Sequence, residues 1–220
     1  MSREPTPSQW RLGYFGGWML MARLLFPQPP APPPPPQPGP PDAQRVAQHI
    51  ADIRGKMERT PAVSTTARRA LEYSRLYLRQ AETALRAQHP FAADRTAAAA
   101  DALLHIAEHQ QHLRANGGPK GPPPLPEIRK HLERVYFQLQ QADYFLSESH
   151  DRRVVSFPKW ASDFYQIAVK AADSGDAVAA DENAKCAEEV VRALENLAQA
   201  AAESSGATPK PPPPPPGAPR

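Results

Sequence analysis

The stretch that decides the fold is FYQIAVKAADSGDAVAADENAKCAEEV, Phe164–Val190. Small residues recur through it at helical spacing, at Ala168, Ala171, Ala180, Ala184 and Ala187, and Gly175-Asp176 sits in the middle. Glycine ends a helix well because it adopts a left-handed backbone freely, and aspartate starts one by capping free amides. The stretch therefore predicts two antiparallel helices joined by a tight turn, about 158–174 and 176–204. Alanines at spacings of three and four let the helix axes approach closely. Ala180, Ala184, Ala187, Val191, Leu194, Ala198 and Ala201 form a heptad-like seam along the second helix.

Upstream, Leu78–Glu108 aligns with Tyr165–Glu195 at an ungapped shift of 87, with eight of 31 positions identical. Six of the eight are alanine pairs, where composition alone gives about three. The aligned turns are His89-Pro90 and Asp176-Ala177, and Gln88 stands opposite Gly175. A hairpin of about 66–88 and 90–115 follows, the second helix opening on a proline.

Each hairpin has a leading helix. The first spans about 42–59, capped by Asp42, with Val46, Ile50, Ile53 and Met57 as its buried stripe. The other spans about 127–149, with Ile128, Leu132, Val135, Leu139, Ala142 and Leu146 alternating at four and three. No useful length alternates with period two. The expected fold is all-α, a six-helix bundle or short α-solenoid of two three-helix units, 42–115 and 127–205. A Gly/Pro connector at 116–126 joins them.

Proline separates this middle from the ends. Residues 1–41 hold 13 of the 29 prolines, residues 206–220 hold eight, and the 164 residues between hold eight. Residues 29–41 read as a polyproline spacer of about 3.1 Å per residue, and 206–220 as a disordered tail. Either proline run also has the make-up of a ligand for an aromatic groove. Residues 1–28 contain the apolar run Trp10–Phe26, interrupted by Arg11 and Arg23. Three readings stay open: a signal or membrane anchor, an interfacial segment, or a disordered extension or misassigned start, with Met19 and Met21 as alternative starts. Export or membrane association is favoured over a cytoplasmic location.

The net charge of +3 and pI of 9.1 come from the ends, because the middle sums to about −1. No basic face marks the helical part, which argues against nucleic acid. The single cysteine, Cys186, falls among small residues at a helical position and reads as a buried thiol.

The hairpin Phe164–Val190 resembles a tetratricopeptide hairpin in its small-residue positions, and a microtubule-interacting-and-trafficking three-helix domain equally well. Both resemblances imply a peptide-binding helical scaffold.

Chemistry-bearing residues concentrate in LLHIAEHQQH, Leu103–His112. At 100° per residue, His105, Glu108, His109 and His112 share one flank beside the apolar face. HIAEH matches the H-x-x-E-H order of inverted zinc peptidases, but no second acidic helix motif accompanies it. The plainer reading is a solvated flank, and no metal or other cofactor is assigned. If a metal does bind, His131, Glu133 or Asp143 are the expected outside ligands. There is no glycine-rich phosphate loop and no nucleophile elbow, so no catalytic residue is assigned. The aromatic cluster of the fourth and fifth helices, with Tyr136, Tyr144, Trp160 and Phe164, is the expected face for a protein partner or for self-association. The leading functional expectation is a non-catalytic scaffold or protein-binding module. The alternative is a metal-binding bundle that uses the histidine flank.

Overall fold

The structure is a computed structural model that describes residues 42–206. The apolar segment at 10–26, the polyproline spacer and the tail from 207 onward lie outside those residues. Among the described residues every regular element is helical. α1 is Ala43–Arg59, α2 Thr65–Arg86, α3 Pro90–Arg114, α4 Leu125–Leu139, α5 Ala142–Ser149, α6 Phe157–Ser174 and α7 Ala177–Ser204. A 3-10 turn at Arg152–Val154 precedes α6. No helix among the described residues is long and apolar enough to cross a membrane.

The helix starts follow from local chemistry. Asp42 accepts from the Gln44 amide at 3.0 Å, Ser64 from Ala67 at 3.0 Å, and Asp176 from Ala179 at 2.9 Å, each satisfying an amide that the first turn leaves free. Pro90, Pro126 and Pro158 occupy the first positions of α3, α4 and α6, where a missing N–H removes no bond.

The helix ends show the repeat at backbone level. α2 closes with His89 N–H donating to the Ala84 carbonyl at 3.0 Å and Gln88 N–H to Leu85 at 3.1 Å. α6 closes with Asp176 N–H donating to Ala171 at 2.9 Å and Gly175 N–H to Ala172 at 3.3 Å. These are the same paired bonds of a Schellman turn, displaced by the 87 residues read from the sequence. Both turns need a left-handed residue, and φ is 63° at Gln88 and 83° at Gly175. A β-carbon is penalised there. Gln88→Gly is therefore expected to stabilise the chain by about 1 kcal/mol, and Gly175→Gln to cost about as much, read as opposite shifts of the urea midpoint.

The expected fourth helix is in fact two. Gln141 N–H bonds to Gln138 at 3.0 Å, a three-residue closure that breaks the α-helical ladder between α4 and α5. The reason lies in the two apolar clusters. Ile128 and Leu132 belong to a small cluster with Ala168, Ala172, Ala180 and Ala184, whereas Val135, Ala142 and Phe145 belong to the main core. A straight helix would keep one face, and the break lets α5 turn its apolar side into the main core. The apolar spacing alone does not register this kink.

α2 and α3 form one hairpin, α6 and α7 another, and α3 also packs against α7. α1 lies on α2 and α3, while α4 and α5 lie on α6 and α7. α3 and α7 are consequently buried on most sides. Ala93, Ala97, Ala100, Leu103, Leu104, Ile106 and Ala107 of α3 are sealed from solvent, as are Ala180, Ala184, Ala187, Val190, Ala193 and Leu194 of α7. The main core takes residues from every helix, so both expected three-helix segments contribute to one apolar interior. Phe157 spans them, its ring edge-on to Tyr73 of α2 at 5.0 Å and to Trp160 at 5.6 Å.

Candidate functional site at the α3–α7 seam

A helix buried on most sides must satisfy any polar group it carries. α7 carries Asp181, Glu182, Asn183, Glu189 and Asn196, all buried. The asparagines solve this locally: each donates to a carbonyl one turn back, Asn183 to Ala179 at 2.8 Å and Asn196 to Arg192 at 2.9 Å. The carboxylates need cations. Lys185 donates to Asp181 at 2.6 Å and to Glu182 Oε1 at 3.2 Å, and Arg192 donates to Glu189 at 2.9 Å.

The other partners come from α3. His109 Nδ1 lies 2.7 Å and His112 Nδ1 3.2 Å from the same atom, Glu182 Oε2. His105 lies 3.7 Å from Glu189, with Asp101 at 3.8 Å and Glu108 at 3.9 Å on its other nitrogen. The histidine flank thus faces α7 and is half-buried. The expectation of a solvated flank is corrected, because Ala-rich packing draws α7 over the histidines. Glu108 is a neighbour of His105 and not of the other two histidines' carboxylate.

The charges are tuned accordingly. Burial works to raise the Glu182 carboxyl, but the His109 hydrogen bond and charge, with the Lys185 ammonium, outweigh it and hold the group at about 2. His105 is raised above the ordinary imidazole value by Glu189, against burial and with help from Asp101 and Glu108. Burial raises the Cys186 thiol, which is sealed from solvent beside the Gln110 amide at 3.8 Å, in line with an unreactive core residue.

The connector closes one side of this cluster. α3 ends in a third Schellman turn, with Gly117 N–H donating to the His112 carbonyl at 2.8 Å and Asn116 left-handed at φ 60°. Gly117 itself has φ 133°, a conformation that only glycine adopts readily. The chain then passes so near that a β-carbon on Gly118 would stand 3.3 Å from His112 Nδ1 and 3.6 Å from Glu182 Oε1.

The outside ligands expected from the fourth helix are not brought here. His131 bonds instead to Glu188 at 2.9 Å, and Glu133 and Asp143 are exposed on α4 and α5. The carboxylate that does stand beside His109 and His112 is Glu182. Sequence reasoning passed over it because its position in the alanine seam of α7 looked structural. A charged pair, Asp181-Glu182, inside that seam was the available signal.

The four aromatics separate into two environments. Trp160 and Phe164 are buried, their rings 5.6 Å apart, and the Arg69 guanidinium lies 5.0 Å over the Trp160 ring. Tyr144 is half-buried, edge-on to Phe145 at 5.6 Å. Tyr136 is 48% exposed, and its neighbour Phe137 is 50% exposed. Tyr165 of α6 lies 6.0 Å from Tyr136, extending the ring surface across the helix boundary.

Comparison of the chain with known protein families, with curated proteins and with solved structures finds no match. The class that the fold of the described residues defines is an all-helical bundle of seven packed helices.

Proposed function

We propose that the chain is a non-catalytic helical scaffold that binds a protein partner through the α4–α6 face, its proline-rich ends acting as spacers. The observation that carries this reading is the Tyr136–Phe137 pair, two consecutive large rings half outside on a helix whose other side is fully occupied by Ile128, Leu132 and Val135. The shallow groove beside them has Leu139 and Pro158 in its lining and polar groups from Asp143, Lys159, Ser162 and Gln166. An apolar centre with a polar rim is the anatomy of a protein interface, and aromatic rings are the usual anchors. The tetratricopeptide-like spacing of the α6–α7 hairpin supports the same class of role, though that family's aromatic and terminal proline positions are lacking.

A photo-crosslinking residue at Phe137 in the full-length chain tests this in its own cell. A discrete adduct is expected from position 137 and none from Glu195, an exposed site on α7. Equal labelling from both positions, or none from 137, would remove the α4–α6 face as the binding surface. Membrane contact through residues 10–26 belongs to the same proposal, and partition of the full chain onto lipid vesicles reads it.

A further inference from the structure

We propose that His109, His112 and Glu182 form a binding site for one divalent transition-metal ion of the zinc class, closed on one side by the Gly117–Gly118 backbone. The site is distinct from the α4–α6 face and does not depend on it. The donor atoms are two imidazole nitrogens and one carboxylate oxygen, all within 4.8 Å of one another. Two histidines and a carboxylate suit zinc, whose bonds to nitrogen and oxygen run about 2.0–2.2 Å and whose tetrahedral donors stand about 3.4 Å apart. The His112–Glu182 separation of 3.2 Å is already close to this, and the His109–Glu182 separation of 2.7 Å needs to open by about 0.7 Å.

Three features argue for a built site over a chance ion pair. Both imidazoles present the same nitrogen, Nδ1, to the same oxygen, Oε2, of one carboxylate. The other oxygen is engaged by Lys185, so the carboxylate is oriented and its second oxygen is left for the histidines. The ligands also come from two helices held by core packing, with His112 fixed further by the hydrogen bond to its own carbonyl from Gly117. The Glu182 side chain is only 5% exposed, and those of His109 and His112 are 16% and 35% exposed. A bound ion would meet solvent on the His112 side, where a water completes the fourth position of a three-ligand zinc centre.

The test is titration of the metal-free full-length chain with zinc by calorimetry, and with cobalt by visible absorption. The expected result is one ion per chain and the intense visible bands of four-coordinate cobalt. His112→Gln, which alters the most exposed ligand and whose fold is checked by circular dichroism, is expected to weaken zinc binding at least about tenfold. Glu182→Gln is expected to do the same, while His105→Ala and His131→Ala bind as the parent does. Absence of binding at 100-fold excess zinc would overturn the site. So would binding that persists in a folded His109→Ala/His112→Gln chain, or binding lost with His105 or His131.

Discussion

Glu182→Ala is expected to destabilise the chelator-treated chain by about 3 kcal/mol at pH 7, the free energy that corresponds to a carboxyl held at about 2 against an ordinary 4.5. The cost arises because His109, His112 and Lys185 all converge on this carboxylate, and its removal leaves polar groups of a buried seam without a partner. The pH dependence has a definite sign. A carboxyl whose folded value lies below its unfolded one contributes fully above the unfolded value and loses that contribution as the pH falls through the folded one. The deficit of the variant should therefore be full above about pH 5 and close progressively towards pH 2. Urea midpoints of the two chains at pH 7, 4 and 2.5 read this directly, and a deficit that stays constant over that range would show that Glu182 is not an ionised partner of the histidines.

Phe157→Ala should cost about 3–5 kcal/mol, the range for truncating a fully enclosed aromatic ring. The effect is more than local, because the ring is packed against Tyr73 from the first hairpin and Trp160 from α6. The first residue of α6 thereby joins α2 to the second half of the chain. Tyr77 supports the same junction: its hydroxyl donates to Asp151 Oδ2 at 2.9 Å, and Arg153 donates to both oxygens of that carboxylate, each at 2.8 Å. With one core serving both halves, the parent and the variant should each unfold in a single transition by fluorescence and by circular dichroism. Separate transitions for 42–115 and 127–205 would show that the shared core contributes little.

The all-helical class was legible because apolar spacing, caps and breakers agree. Val46, Ile50, Ile53 and Met57 recur at helical spacing after a capping aspartate, and all four are buried. The repeat was legible for a stronger reason: alanine pairs at 81/168, 84/171, 93/180 and 97/184 mark close packing, which few other residues permit. The α4–α5 break was not legible, since it arises from two apolar clusters that exist only once the other helices are in place. The histidine flank was legible as a flank, but its orientation was not. Helical spacing places residues around one axis and says nothing of a second helix that covers them. Buried charge on α7 misled for the same reason, because two of the partners that let Glu182 sit inside lie 70 and 73 residues away in sequence.

The pairing of α3 with α7 in this register underlies the seam, the candidate metal centre and the shared interior. A double-mutant cycle on His109→Ala and Glu182→Ala, with the metal-free chain unfolded in urea at pH 7, measures that pairing most directly. Atoms 2.7 Å apart in a buried seam should give a coupling of at least about 1 kcal/mol. Additive effects, equal within about 0.4 kcal/mol, would place the two side chains out of contact and contradict the packing of α3 on α7.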